Sequence, residues 1–489
     1  MELGGHSLDG CLCASGILNY IMMRSARANM WVLVFSLALM LAGCSSRSIV
    51  FDQHVRESTF EVYLKALGEC YPDAEACGLH AQEFEDRWRA EVVDSETVTE
   101  YYHALARMCS EVGDPHLVFK PNFELWEQLD GPLGASDLAV INLNGRAGLW
   151  FLSAEAVDDM PLQRQIRDFN GWTVHSLHGA KLQRSMLTHP LNIGPQGSTF
   201  VIELQSPDGT KTAELIRRRG LSLHVQHRHG ARVNLGTQLY AKARHANRSF
   251  LESVSTSDSA VHHGTYISVW NIDGVGVLVW EPGKHFPGDD EQLRLLRADL
   301  DAAGEVLRGV ECAVIDLRYQ SGGSYPGFAA VMESLMSESL TFKSARARSE
   351  LFGLLSVTHA SDVTESPSII GSAKHTVILV NERTASYGEW MASLLRRNHA
   401  GTTIGARTSG SEYCVVDVAG PDGSLLRFGG DPFERFDDVP VFQTVGLTPD
   451  RLVAVNLSDF PSRSIEDVLM QAHARQWEEA WSVVGSCPP

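Results

Sequence analysis

Residues 312–324 read CAVIDLRYQSGGS, and residues 375–389 read HTVILVNERTASYGE. Each starts as a short apolar run of the kind that forms a buried strand, and each then changes character: the first runs into Gly322-Gly323, the second into Ser386 at the head of a helical pattern over 386–397. Strand patterns at TYISVWNI (265–272), VGVLVWEP (275–282) and TTIGA (402–406), with helical patterns over 290–308 and 326–337, complete a βαβα order. That order predicts an open sheet with helices on its faces, where reacting groups collect at the carboxyl ends of strands. The expected chemistry therefore lies just after CAVIDLR and HTVILV.

Outward from this region, residues 263–475 form the expected αβ catalytic domain. Residues 221–262 are basic and polar and read as a linker. Residues 135–220 carry strand alternation and a Pro207-Asp208-Gly209 hairpin signal, giving a small β module. Within it, FNGWTV (169–174) resembles the segment of PDZ domains that precedes their peptide groove. Apolar positions recur at helical intervals over 58–125, a helical domain, and 44–57 form a polar linker. The fold class is thus α+β or α/β multidomain: a helical front, a PDZ-like β module, and a mixed sheet flanked by helices.

The N-terminus reads as a targeting segment. Arg24 and Arg27 precede the apolar run 30–43, which is short for a membrane span and has the order of a secretory signal. Its end, Leu41-Ala42-Gly43-Cys44, resembles the lipobox of bacterial lipoproteins, which makes Cys44 the lipidated first mature residue and 1–43 a removed signal. The body is then expected in the cell envelope, facing the periplasm, with the outer membrane preferred because Ser45 is not Asp. The chain carries a formal charge of -19, so nucleic acid is an unfavourable partner. Nine cysteines in an oxidising compartment allow disulfides, Cys70 with Cys77 among them. No CxxC or HExxH spacing supports a metal site, and no cofactor is expected.

A serine in a turn that opens a helix can direct its hydroxyl into a cleft, while the next N–H, at the positive helix end, can stabilise an oxyanion. Paired glycines let a second N–H approach the same oxygen. With these features together, the chain resembles the C-terminal-processing (tail-specific) serine peptidases. CAVIDLRYQSGG resembles their DLR-x-x-x-GG segment, ILVNERTASYGEW their [ST]-A-S-x-x-E segment, TTIGARTSG their IG-x-x-T-x-G strand, and VGLTPD their closing G-x-x-PD segment. The resemblance implies Ser386 as nucleophile and an oxyanion hole from Tyr387 N–H with Gly322 or Gly323 N–H.

Bacterial tail-specific enzymes place a Lys after the T-x-G turn, but here Thr408-Ser409-Gly410 is followed by Ser411. The branch that includes the tricorn core protease supplies a His from a loop near the front helices. Residues 110–117, SEVGDPHL, resemble that loop, so His116 takes the place of the base. That branch orients its His with a Glu, where this chain has Gln443; an amide can orient an imidazole without stabilising its charge, and Asp114 is the other candidate. Asp316 and Arg318 read as a structural ion pair, and Glu389 as a residue that fixes the turn. The expected activity is membrane-tethered hydrolysis of peptide or protein substrates through an acyl-enzyme, weakened by Gln443; the alternative is a noncatalytic peptide-binding or envelope-scaffolding lipoprotein on the same fold.

Overall fold

The computed structural model describes residues 51–71, 82–112, 117–135, 138–143, 146–151, 173–177, 180–181, 193–206, 209–216, 231–256, 259–336, 340–342, 361–363, 368–371, 373–398, 401–411, 415–430, 445–453 and 465–485. Residues 1–50 with Cys44, and Cys77, Asp114, His116 and Gln443, lie outside them. Among the described residues no helix is long and apolar enough to cross a membrane.

Three helices come first: α1 (Gln53–Cys70), α2 (Gln82–Val93) and α3 (Val98–Val112). Asp52 starts α1 by accepting the Val55 N–H at 3.0 Å, satisfying one of the amides that a helix start leaves open. Helix α3 is buried nearly all round: Tyr101, Tyr102, His103, Ala104, Leu105 and Ala106 are consecutive and all buried, as in a helix covered on several sides. Strand β1 (Val118–Lys120) and helix α4 (Phe123–Asp130), capped by Asn122, complete this front part.

Eight strands follow: β2 (Leu133–Ala135), β3 (Leu138–Leu143), β4 (Arg146–Phe151), β5 (Thr173–Leu177), β6 (Ala180–Lys181), β7 (Ile193–Pro195), β8 (Thr199–Ser206) and β9 (Gly209–Ile216). They pair in the order β3-β4-β5-β8-β9, with β6 on β5 and a separate β2-β7 pair. In the β8-β9 hairpin Ser206 faces Gly209, so the reversal falls at the Pro-Asp-Gly signal.

The remaining elements are α5 (Ala231–Val254), β10 (Ala260–His263), β11 (Ile267–Ile272), β12 (Val275–Trp280), α6 (Asp290–Val306), β13 (Cys312–Asp316), α7 (Tyr325–Leu335), β14 (Leu340–Phe342), β15 (Ser361–Val363), β16 (His375–Val380), α8 (Tyr387–Asn398), β17 (Thr402–Gly405), β18 (Val415–Ala419), β19 (Leu425–Gly429), β20 (Arg451–Leu452) and α9 (Ile465–Val484). Among the described residues the main sheet has the order β10-β11-β12-β13-β16-β17-β20. It is antiparallel from β10 to β12 and parallel from β12 onward.

Strand β13 is buried along its whole length, which is why its sequence is continuously apolar. Its side chains still alternate. Ala313 and Ile315 join Leu278, Ile378, Leu300, Phe328 and Leu395 on the face covered by α6, α7 and α8; Cys312 and Val314 join Val277, Val377, Leu251, Trp477 and Val484 on the face covered by α5 and α9. At about 25 cal/mol per Å² of apolar surface, such two-sided burial dominates the stability of the sheet.

Two expectations change. Within 221–262, read as a linker, the described residues form α5 and β10, and Leu251 of α5 lies in the core. Arg244, His245 and Arg248 of this helix are exposed, while Leu251 and Ala243 are buried. The helical packing also extends past 475, because α9 continues to Val484 with Trp477 and Ala480 fully buried.

Candidate active site

The loops after β13 and β16 interlock. Leu317 N–H donates to Leu379 O at 2.9 Å and Ala385 N–H to Gln320 O at 3.0 Å; the Thr384 hydroxyl donates to Leu317 O at 2.8 Å. Close approach explains the glycines. Gly322 has φ 89°, and a Cβ there would stand 2.7 Å from the Ser386 Cβ and 3.0 Å from its Oγ. A Cβ on Gly323 would fall 2.4 Å from the Phe286 backbone. The serine hydroxyl and the glycine loop, distant in sequence, are therefore in contact.

Ser386 itself is strained. Its φ is +54°, a left-handed value that, among the described non-glycine residues, it shares with Asp273. Such a residue carries on the order of 1–3 kcal/mol of strain and persists because its surroundings hold it. The holding group is Glu389, completely buried. Its carboxylate accepts the Ser386 N–H at 3.2 Å, the Gly410 N–H at 2.6 Å, the Ser411 N–H at 2.7 Å and the Thr408 hydroxyl. Glu389 thus ties the serine turn to the Thr408–Ser411 turn. It fixes the turn, as expected, and does so from the interior.

Thr408 passes the linkage on: its Oγ1 accepts the Leu447 N–H at 2.6 Å, and its own N–H donates to Leu447 O at 3.1 Å. The four motif segments of the sequence therefore meet at one place. Ser411, at the position of the tail-specific lysine, is buried and shares a 2.7 Å hydrogen bond with the Ser409 hydroxyl. Tyr387 stacks on Phe328 with centroids 4.6 Å apart, fixing the first turn of α8 behind the serine.

The two glycine candidates differ. Gly322 N–H donates to the Gln320 side-chain carbonyl at 2.7 Å and is committed there. Gly323 N–H has no partner among the described residues. Gln320 is itself fully buried, and its Nε2 has no partner among the described residues. Beside this loop the His285 Nδ1 and Ser321 Oγ lie 3.0 Å apart, and burial lowers the His285 pKa, favouring the neutral ring.

His116, Asp114 and Gln443 lie outside the described residues, but the chain that leaves the His116 loop is firmly placed. Leu117 is buried, and β1 pairs with β19, Phe119 opposite Leu426. Tyr63 OH and Ser424 Oγ lie 2.7 Å apart, and Tyr101 OH donates to Asp422 at 3.1 Å, clasping the β18-β19 hairpin to the front helices.

Asp316 and Arg318 form the expected buried ion pair at 2.8 Å. Arg318 also donates to Asn247 Oδ1 at 3.1 Å and to His473 O at 2.8 Å. Cys312 is disulfide-bonded, while Cys109 is buried and free. Among the described residues no group of three His, Cys, Asp or Glu side chains could hold a metal.

Sequence reasoning missed Gln320, Thr384, Thr408 and Ser411 as parts of the site. Nothing in their local sequence separates them from ordinary turn residues; their roles arise from contacts between turns far apart in the chain.

Residues 287–453 match the family model described as Peptidase family S41. No curated protein matches the chain. Among solved structures, mature CPAF superposes with a TM-score of 0.52 at 11% identity, covering 89% of this chain and 99% of that one. Mature CPAF complexed with lactacystin gives a TM-score of 0.50 at 12% identity, covering 88% and 100%. The photosystem II D1 C-terminal processing protease is 16% identical over 84% of this chain and 95% of its own, but its TM-score of 0.41 is too low to bear on the fold. The likeness to CPAF shows a shared fold, and the matched segment takes in Gly322, Gly323, Ser386, Glu389, Thr408 and Gly446. Residues 287–453 are thus similar to peptidase family S41, a family of serine-type peptidases.

Proposed function

We propose that this chain is a membrane-tethered serine endopeptidase in which Ser386 is the nucleophile and His116 the general base. The observation that carries the reading is the strained Ser386, held by the buried Glu389 with its hydroxyl against Gly322. His116 takes the proton as Ser386 Oγ attacks the scissile carbonyl carbon. The N–H groups of Tyr387 and Gly323 hold the resulting oxyanion, with Gly322 shaping the loop. Each such donor is worth about 3 kcal/mol of transition-state stabilisation. Collapse breaks the C–N bond, the imidazolium returns the proton to the departing amine, and a water activated by His116 then hydrolyses the acyl-enzyme. Gln443 orients the imidazole through its amide, with Asp114 as the other candidate. The chemistry requires no metal or organic cofactor.

Cys44 carries the lipid that tethers the protein to the envelope, on the periplasmic side and with the outer membrane preferred, and the β module recognises part of the peptide substrate. A serine-directed phosphonate should label the wild-type protein and neither Ser386→Ala nor His116→Ala. Labelling that persists in Ser386→Ala rejects the nucleophile, and failure to label the wild type favours the noncatalytic peptide-binding reading. Incorporation of radiolabelled palmitate, lost in Cys44→Ala, tests the tether separately.

A further inference from the structure

A cavity of about 290 Å³ opens at the carboxyl end of β12, the same sheet edge from which the Ser386 and Gly322 loops emerge. Its floor is buried and largely apolar: Trp270 and Val279, with the side of Asn247. Its rim carries two guanidinium groups. Arg244 and Arg248 stand one helical turn apart on α5, and His245 and His263 also line the cavity.

Elsewhere guanidinium groups are met by carboxylates, as in Arg87–Glu111, Arg396–Asp450 and Arg427–Asp417. Arg244 and Arg248 have no such partner among the described residues, in a chain whose formal charge is -19. Two unpaired guanidinium forks over an apolar floor suit a carboxylate borne on an apolar body. Glu281 stands in the wall, its carboxylate accepting the Ser268 hydroxyl; it offsets part of the arginine charge, which leaves the cavity suited to a single negative charge more than to a multiply charged anion such as phosphate.

The cavity is also joined to the site through covalent and hydrogen-bonded links. Asn247 bonds Asp316 and Arg318, at the base of the loop that carries Gly322. Glu281 and Pro282 begin the segment that reaches Phe286, whose backbone pairs with Gly323. We propose that this cavity is a substrate subsite that binds a singly charged peptide carboxylate, at the chain end or on an Asp or Glu side chain, between Arg244 and Arg248. The assignment rests on the peptidase reading for its role, and on the cavity alone for its binding.

The test uses the full chain carrying Ser386→Ala and a fluorescently labelled peptide that ends in Leu and contains one Glu, read by anisotropy. Four peptides combine free or amidated C-termini with Glu or Gln. Loss of at least about tenfold in affinity on one arm, about 1.4 kcal/mol, supports the subsite and identifies the source of the carboxylate. The same peptide should bind at least tenfold more weakly when Arg244→Ala and Arg248→Ala are added, and unchanged when Arg294→Ala and Arg297→Ala, which remove the same charge from α6, are added instead. Equal affinity for all four peptides, or equal loss in both double variants, overturns the proposal, as does displacement of the peptide by inorganic phosphate as readily as by acetyl-leucine. Phosphonate labelling of the wild type reports on Ser386 independently, so failure of the subsite and failure of the catalytic reading are distinguishable.

Discussion

Two completely buried carboxylates, Glu389 in the serine turn and Asp422 in the β18-β19 hairpin, are satisfied in different ways and serve different ends. Glu389 collects three backbone N–H groups and one hydroxyl from two turns, and among these donors is the strained Ser386. Asp422 accepts the N–H and hydroxyl of nearby Ser424 and the phenol of Tyr101 from the front helices. No residue at that seam has a left-handed non-glycine backbone among those described. A buried carboxylate that gathers fixed amides can thus hold the backbone in a costly shape for chemistry, whereas one that gathers rotatable hydroxyls joins two parts of the chain.

The largest expected effect separates the two. Glu389→Gln replaces an acceptor oxygen with an NH2 group facing N–H donors. It should lower kcat/KM for a peptide substrate by roughly a hundredfold or more, mostly in kcat, and cost about 2–4 kcal/mol in urea unfolding. Asp422→Asn should cost about 1–3 kcal/mol in the same titration while kcat/KM at low temperature stays near the wild-type value. If the hairpin variant lost activity as steeply as the turn variant, the distinction would fail.

The seam should also show itself at high pH. Burial, and then the charge of Asp422, raise the pKa values of Tyr63 and Tyr101. Their folded-state values lie above the unfolded one, so their contribution is complete below about pH 10 and is lost as pH rises beyond it. Wild-type stability should therefore decline above that pH, and less steeply in Asp422→Asn.

A smaller effect isolates the strain. Ser386→Gly and Ser386→Ala should be equally inactive, but the glycine variant should be about 1 kcal/mol more stable, because glycine accepts the positive φ. Equal stabilities would mean that the turn relaxes freely and stores nothing.

The smallest effect concerns the polar cluster behind the glycine loop. Burial, and then Arg318, hold the His473 pKa well below its ordinary value. The neutral ring sets Nε2 against Asn247 Oδ1 and, at 3.1 Å, the Arg318 guanidinium, and Nδ1 lies 3.5 Å from the Tyr319 hydroxyl. A depressed folded pKa contributes stability that is present above about pH 6.5 and lost as pH falls below it, by up to about 1.4 kcal/mol per pH unit. His473→Gln should flatten that acid limb without changing stability near neutrality by as much.

Local pattern alone made the catalytic sheet legible. Continuous apolar runs at 312–316 and 375–380 are what strands buried on both faces require, and the glycine and serine signals at their ends follow from the need for tight turns there. Over 221–262 the polar and basic composition points to a linker, whereas α5 is revealed by the packing of Leu251 against the sheet.

By itself the sequence determined the strand and helix order, the sheet edge where reacting groups gather, and the pair of Ser386 with Gly322-Gly323, because these depend on periodicity and on residues with special backbone freedom. Tertiary structure decided that Gly322 N–H is taken by Gln320 while Gly323 N–H has no partner among the described residues, that Glu389 is the buried clasp of a strained turn, and that Arg244 and Arg248 overlook a cavity. Those properties belong to groups brought together from distant positions, and hydrogen-bond commitment and burial are set by neighbours in space, which no local stretch encodes.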